Sequence, residues 1–218
     1  MTVTPNEARK RMVDKQLRAR GLSDERVLRV MGEIPREQFV PSDSASQAYD
    51  DRALPIDCGQ TISQPYIVGL MTSMLTLRDD HRVLEVGTGT GYQTAILSRL
   101  AGRVFTTERI GELLESARKR LSALGVENVE FLETDGSEGW AERAPFDRII
   151  VTAAAPDVPD PLVAQLCEGG RMVLPVGPVG NQVLTLVERR SGRVVERPGI
   201  GVRFVKLLGS QGYCEGVE

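Results

Sequence analysis

The sequence predicts a doubly wound α/β fold, a mostly parallel sheet with helices on both faces, carrying a helical extension at its N-terminus. Three observations predict it. From Arg82 onward, short apolar runs alternate with amphipathic segments: RVLEV, YQTAILSRLAG, RVFTTE, GELLESARKRLSALG, NVEFLE, then FDRIIVT and GRMVLPV. Runs that are apolar throughout belong to strands buried on both faces, and intervening helices join such strands in parallel by right-handed crossovers. The first run leads directly into Gly87, Gly89 and Gly91, a glycine series at the strand end where open α/β sheets take ligands. Finally, 218 residues with 41% hydrophobic and 26% charged content suit one domain around one core.

From Asn6 to Arg20, Ala8, Met12, Val13 and Leu17 fall on one helical face, and Gly21 ends the run. A second helix follows, capped by Ser23, with Asp24 and Glu25 at its positive end, Val27, Leu28 and Met31 inward, and Pro35 as its stop. Residues 35–64 lack long periodicity and contain Pro35, Pro41, Pro55 and Gly59, a connection long enough to carry function. Pro65 opens the helical run PYIVGLMTSMLTL, which puts Ser63 or Gln64 at its N-cap.

A further helix is expected from Pro159 to Cys167. NQVLTLVERRSGRVVERPG reads as two antiparallel strands around a Ser191-Gly192 turn, VRFVKLL as another strand at the sheet edge, and SQGYCEGVE beyond Gly209 as a frayed tail. The expected organisation is a single domain over 1–218. Within it, 1–80 is a helical and capping segment, 81–177 the core, 178–209 the late strands and 210–218 a flexible tail.

Composition excludes several functions. Lys and Arg number 27 against 30 Asp and Glu, a net charge of −3, so no overall positive field gathers nucleic acid. The locally basic start (Arg9, Lys10, Arg11, Lys15, Arg18, Arg20) fits a solvated helix face. No window is apolar enough to span a membrane and the polar N-terminus is not signal-like, so a cytoplasmic protein without membrane partners is expected. Cys58, Cys167 and Cys214 are odd in number and widely spaced, which fits neither a disulfide framework nor a metal site. The single histidine, His81, follows the charged run Arg78-Asp79-Asp80 and reads as an exposed loop residue. Hydrolysis by a Ser/His/Asp triad and multi-histidine metal chemistry are thereby disfavoured.

The glycine loop reads E-V-G-T-G-T-G over Glu85 to Gly91, with Thr88 at its bend, rather than the GxGxxG of dinucleotide binders. A pyrophosphate avoids a neighbouring carboxylate, whereas Glu85 suits a cofactor with an amino group and positive charge. S-adenosylmethionine, with a sulfonium, an ammonium and no phosphate, is such a cofactor. Glu108 ends the next strand, 17 positions after Gly91, near the offset at which an acid takes ribose hydroxyls. Asp135, followed by Gly136, ends the third strand, where it could accept a bond from an adenine amino group.

With this loop the sequence resembles a Rossmann-like class I methyltransferase, and over nearly its whole length it resembles the protein-L-isoaspartate (D-aspartate) O-methyltransferase family. The strings that carry the likeness are PREQFVP, ALPIDCGQTISQPYIV, VLEVGTGTGYQTAILS, TDGSEGW, APFDRIIVTAAAPDVP and EGGRMVLPVG, of which TISQPY is the specific one. The resemblance implies that Thr61, Ile62 and Ser63 close over cofactor and substrate, with Ser63 the active-site serine. It implies that Gly87, Gly89 and Gly91 cradle S-adenosylmethionine, that Glu108 holds its ribose, and that Asp135 and Gly136 border its adenine. The implied substrates are extended peptides and damaged proteins containing L-isoaspartyl or D-aspartyl residues, held near Gln64 and Val205 by a monomeric enzyme.

Asp57-Cys58 departs from the smaller, glycine-containing pair expected there, and Cys58 reads as an inert thiol. Methylation of a carboxylate, already ionised at neutral pH, needs no histidine base. Three alternatives stay open at this level: a class I methyltransferase for small molecules or nucleic acid, a nicotinamide-dependent oxidoreductase, and a binding protein without turnover.

Overall fold

The computed structural model describes residues 4–214. Helix α1 (Pro5–Met12) starts with a reciprocal cap: Glu7 N donates to Thr4 Oγ1 at 3.3 Å and Thr4 N to the Glu7 carboxylate at 2.8 Å. A π-turn (Val13–Leu17) and a 3-10 turn (Arg18–Arg20) extend it until Gly21, at φ 89°, reverses the chain. Helix α2 (Glu25–Glu33) is capped by Asp24, not by Ser23; Asp24 Oδ1 accepts from Arg26 N at 3.0 Å and Val27 N at 3.2 Å. Asp24 wins because it directly precedes the first helical residue, within reach of both free amides.

The connection over 35–64 is built of 3-10 turns at Arg36–Phe39, Ser42–Gln47 and Asp57–Gly59 and a small antiparallel pair, β1 (Leu54–Pro55) with β2 (Thr61–Ile62). Helix α3 (Pro65–Met74) follows with Gln64 at its N-cap. The sheet comprises β3 (Arg82–Val86), β4 (Arg103–Glu108), β5 (Val129–Glu133), β6 (Phe146–Val151), β7 (Leu166–Val176), β8 (Gln182–Arg190) and β9 (Arg193–Val202). Helices α4 (Tyr92–Ser98), α5 (Gly111–Ala123) and α6 (Asp160–Ala164) connect its parallel members.

Strand order is β5-β4-β3-β6-β7-β8-β9, parallel through β7 and then an antiparallel meander. The chain enters at central β3, winds outward to β5 and returns to β6. That reversal opens a crevice at the carboxyl ends of β3 and β6. One face of the sheet buries Val83, Ile150, Val173 and Leu184 against Met12, Val27, Phe39 and Met71 of the N-terminal segment; the other packs Leu84, Phe105, Ile149 and Leu174 with Leu162. Neighbouring residues Val83 and Leu84 thus serve opposite layers, as strand alternation requires. Edge strand β9 carries Arg193, Arg197 and Pro198, which discourage pairing with another sheet.

Four further expectations change. Cys167 lies in β7, because α6 ends at Ala164. VRFVKLL is not a further antiparallel strand: beyond Val202 it crosses the carboxyl ends of the sheet, where Ala154 N donates to Val205 O at 2.8 Å and Leu207 N to Ala154 O at 2.7 Å. Residues 210–214 are docked rather than frayed, with Ser210 N on Asp135 Oδ2 at 2.7 Å and Tyr213 N on Leu207 O at 2.8 Å; the rest of the expected tail lies outside the described residues.

His81 is only 3% exposed, and its Nδ1 accepts from Arg78 N at 3.1 Å while its carbonyl holds Gly102 N and Arg103 N. Burial, with Arg148 nearby, keeps its imidazole below the usual pKa, in keeping with a structural role. Among the described residues, no helix is long and apolar enough to cross a membrane, and no cluster of His, Cys, Asp or Glu could hold a metal ion.

Candidate functional site

The glycine loop curls over the end of β4, with Gly87 N and Thr88 N both donating to Thr107 O, at 2.9 and 3.2 Å. Each glycine is required for a different reason. Gly87 has φ 94°, and a Cβ there would stand 2.3 Å from Thr152 Oγ1, which donates to Gly87 O at 2.7 Å. Gly91, at φ 90°, packs against Ala117 and Leu121 of α5, so its place is in helix packing rather than in the lining of the crevice. Gly89, at φ 53°, has no atom within 4 Å of where its Cβ would be. Only at Gly89 does the missing side chain leave room for a ligand.

Glu108 closes the loop from below. Its Oε1 accepts from Arg109 N at 2.9 Å and Ile110 N at 3.0 Å, and its Oε2 from Gly89 N at 2.9 Å. Oε2 retains an acceptor position for a hydroxyl. Around it lies a crevice, open to solvent on one side, bordered by Gly87, Gly89, Glu108, Gly136, Thr152 and Leu207. Gly136 is tight against the sheet, since a Cβ would meet Val86 Cγ1 at 2.6 Å and Thr107 Oγ1 at 2.7 Å.

A second cavity, of about 480 Å³, joins Thr88 and Gln93 to Ile62 and Ser63, and a groove of about 1160 Å³ runs outward past Ser63, Gln64 and Phe204. Thr61 borders all three spaces, and Ser63 borders the second cavity and the groove. Ser63 is fixed through its backbone: buried Arg36 donates from Nη2 to Ser63 O at 2.8 Å and from Nε to Ala48 O at 2.7 Å, with its guanidinium over the Tyr92 ring. Among the described residues the Ser63 hydroxyl makes no hydrogen bond, and Gln64 holds the N-cap, so a capping role for Ser63 is gone.

A family model described as Protein-L-isoaspartate(D-aspartate) O-methyltransferase matches residues 7–212. The chain belongs to this family. The protein-L-isoaspartate O-methyltransferase of Methanoculleus marisnigri is 50% identical over 205 residues, covering 94% of this chain and 93% of its own. That of Geobacter metallireducens is 52% identical over 207 residues, covering 94% and 96%. A solved protein-L-isoaspartate O-methyltransferase superposes with TM-score 0.83 at 32% identity over 94% of this chain and 67% of that one. A Plasmodium falciparum structure solved with S-adenosyl-L-homocysteine shares the fold, with TM-score 0.80 at 24% identity over 92% of this chain and 98% of that one. Family membership decides against the oxidoreductase and small-molecule alternatives.

Within this family frame three expected site residues move. Glu85 does not reach the crevice. It is fully buried behind the loop, where its Oε2 accepts from Thr94 and Thr106 hydroxyls, each at 2.6 Å, and Thr106 Oγ1 lies 2.6 Å from Thr88 Oγ1. Strand alternation is the cause: Val86 borders the cavity, so Glu85 must face the α4 layer. Its link to the crevice runs through the Thr106 hydroxyl to Thr88, which borders the second cavity. Burial pushes the Glu85 carboxyl up to about 8, against the threonine hydrogen bonds that lower it.

In the unfolded chain this carboxyl ionises near 4.5, so between that pH and 8 the unfolded state releases a proton that the folded state keeps. Glu85 therefore lowers stability as pH rises through this window. Glu85→Gln is expected to gain stability relative to the parent from pH 5 to pH 8 in denaturant titrations. Parallel curves for the two proteins would mean that Glu85 is ionised in the folded state.

Asp135 caps the turn at Gly136–Glu138 instead of lining the cavity. Its Oδ1 accepts from Ser137 N at 2.9 Å and Ser137 Oγ at 2.7 Å, while Oδ2 holds Ser210. Partial burial raises its pKa, but these hydrogen bonds outweigh burial and hold the carboxyl below the usual range. Val205, expected beside the substrate, borders the cofactor-sized cavity, and Phe204 takes the place in the groove. Gln64 does border the groove, although its amide is engaged by Asp51 O at 2.9 Å and Asp51 Oδ1 at 2.7 Å.

Cys58 adopts φ 57°, the left-handed conformation that explains why a glycine would suit this position, and desolvation with Glu112 close by pushes its thiol pKa up. Sequence reasoning missed Thr152, Arg36 and the 205–208 crossing. Thr152 was findable, since it follows β6, the strand across the crevice from β3.

Proposed function

We propose that the chain transfers the methyl group of S-adenosylmethionine to the free carboxylate of L-isoaspartyl, and D-aspartyl, residues in peptides and damaged proteins. The observation that carries this reading is the Ser63 hydroxyl, unpartnered among the described residues, where the inner cavity meets the open groove. The residues present fit the cofactor: Gly89 leaves room beside the loop, Glu108 offers Oε2 to a ribose hydroxyl, and Thr61, Ile62, Thr88 and Gly136 border the remaining space. When bound, S-adenosylmethionine supplies a methyl group on a positively charged sulfur.

The protein's own part is positioning. Ser63 donates to the substrate carboxylate and fixes the oxygen that accepts the methyl group. Arg36 holds the Ser63 backbone, and the 205–208 crossing with Thr61 shields the site from water. No proton need be removed, because the carboxylate is already ionised at neutral pH. The resulting methyl ester is open to attack by the following backbone nitrogen, which expels methanol and gives a succinimide that reopens partly to normal aspartate.

Paired peptides differing only in aspartyl or isoaspartyl linkage test the assignment: base-labile methyl label is expected on the isoaspartyl peptide alone. Label on neither, with cofactor bound, would refute it. Ser63→Ala is expected to lower kcat by roughly 10- to 100-fold while leaving S-adenosylhomocysteine affinity nearly unchanged. Unchanged turnover would remove Ser63 from the site.

The same reading takes residues 1–218 as one unit, a view supported by the shared core in which Met12, Val27 and Phe39 pack with Val83 and Ile150. It also takes the enzyme as a cytoplasmic monomer, supported by three unbonded cysteines and by the few large apolar side chains left exposed among the described residues, Val179, Val194, Val195 and Ile200. Analytical ultracentrifugation checks the oligomeric state, and subcellular fractionation checks the location.

A further inference from the structure

The groove outside Ser63 has an electrostatic character that the chain as a whole lacks. The protein carries a net charge of −3, yet the ionisable side chains bordering the groove are Arg20 and Arg203, with no Asp or Glu among them. The two arginines differ. Arg20 is compensated: its Nη1 lies 3.1 Å from Asp51 Oδ2, and its guanidinium stacks 3.6 Å from the Tyr66 ring centroid. Arg203 is exposed and, among the described residues, its guanidinium takes part in no ion pair or hydrogen bond. It leaves the chain directly after edge strand β9, where the polypeptide turns toward the cofactor-sized cavity.

Space beside it is open. Gly201 borders the same groove, and no atom lies within 4 Å of where its Cβ would be; its backbone is not left-handed, so the absence of a side chain there is not forced by conformation.

From this juxtaposition of uncompensated Arg203, neutralised Arg20 and open Gly201 in one groove with Ser63, we infer that the enzyme selects substrates bearing an acidic side chain close to the damaged residue. Arg203 pairs with that carboxylate, and Ser63 serves the carboxylate that receives the methyl group. The inference rests on the methyl-transfer reading above. Because Arg203 is solvated, its contribution is an exposed ion pair, modest in size and weakened by salt.

The test uses isoaspartyl peptides matched except for glutamate, glutamine or lysine at one position on either side of the isoaspartyl residue. Methylation kinetics are read together with peptide binding by fluorescence anisotropy in the presence of S-adenosylhomocysteine. The expected order is glutamate over glutamine over lysine on at least one side, about two- to five-fold per step, expressed in KM rather than kcat and reduced at high salt. Arg203→Gln should flatten this order with cofactor affinity intact, and Gly201→Asp, which puts an acid into the open space, should reverse it.

An absent order, or one that survives Arg203→Gln, overturns the inference. If no peptide is methylated, the methyl-transfer reading fails, and the anisotropy order still decides the charge preference on its own.

Discussion

Gly89→Val is expected to abolish most cofactor binding while leaving the fold standing. The new side chain meets no protein atom within 4 Å at its Cβ and projects into the space that Glu108 borders from below. Its cost to folding is confined to placing a β-branched residue at φ 53°, about 1–2 kcal/mol. Its cost to binding is overlap with the ligand, a loss of roughly 10- to 100-fold or more in S-adenosylhomocysteine affinity.

Calorimetric titration with thermal unfolding on the same sample separates the two effects. Near-normal affinity in a folded variant would mean that the cofactor does not cross the loop. Gly87→Ala could not serve here, because a Cβ at 2.3 Å from Thr152 Oγ1 disturbs the loop itself.

Arg36→Ala should be the most damaging single change to stability. The side chain is 0% exposed, holds the carbonyls of Ala48 and Ser63, and lies over the Tyr92 ring at 4.7 Å. Its removal leaves two carbonyls without a donor and a void beside Tyr92, together about 3–5 kcal/mol, or a fall in Tm of roughly 10 °C. Turnover by the surviving folded fraction should also drop, because the Ser63 backbone loses its anchor. Arg36→Lys, with a single ammonium, cannot serve both carbonyls in the arginine geometry and should fall between the two. Equal stability of all three proteins in denaturant titrations would show that the Arg36 bonds contribute nothing to folding.

Legibility in the sequence followed the range of the forces involved. The alternation of apolar runs with helices, the Gly21 and Pro65 boundaries and the glycine loop are local, and the structure has them where the residues put them. Ser63, Glu108 and Gly89 could be singled out as candidates because each belongs to a contiguous motif or a strand end, and the structure places all three at the crevice or the groove. Glu85 was misplaced because a carboxylate beside a glycine loop looks alike whichever face its strand turns toward the ligand. The docking of residues 210–214 on Asp135 was illegible, since it joins segments 75 positions apart.

The sequence by itself determined the alternation of strands and helices from Arg82 to Val176, the cofactor chemistry and the family, whereas the order of the late strands came only from the structure. Only the tertiary structure decided that the crossing at 205–208 roofs the cavity, that Arg36 anchors Ser63, and that His81 and Glu85 are buried rather than available. Periodicity and motifs are set by neighbours along the chain, whereas burial and pairing of polar groups are set by whatever the packed sheet brings against them.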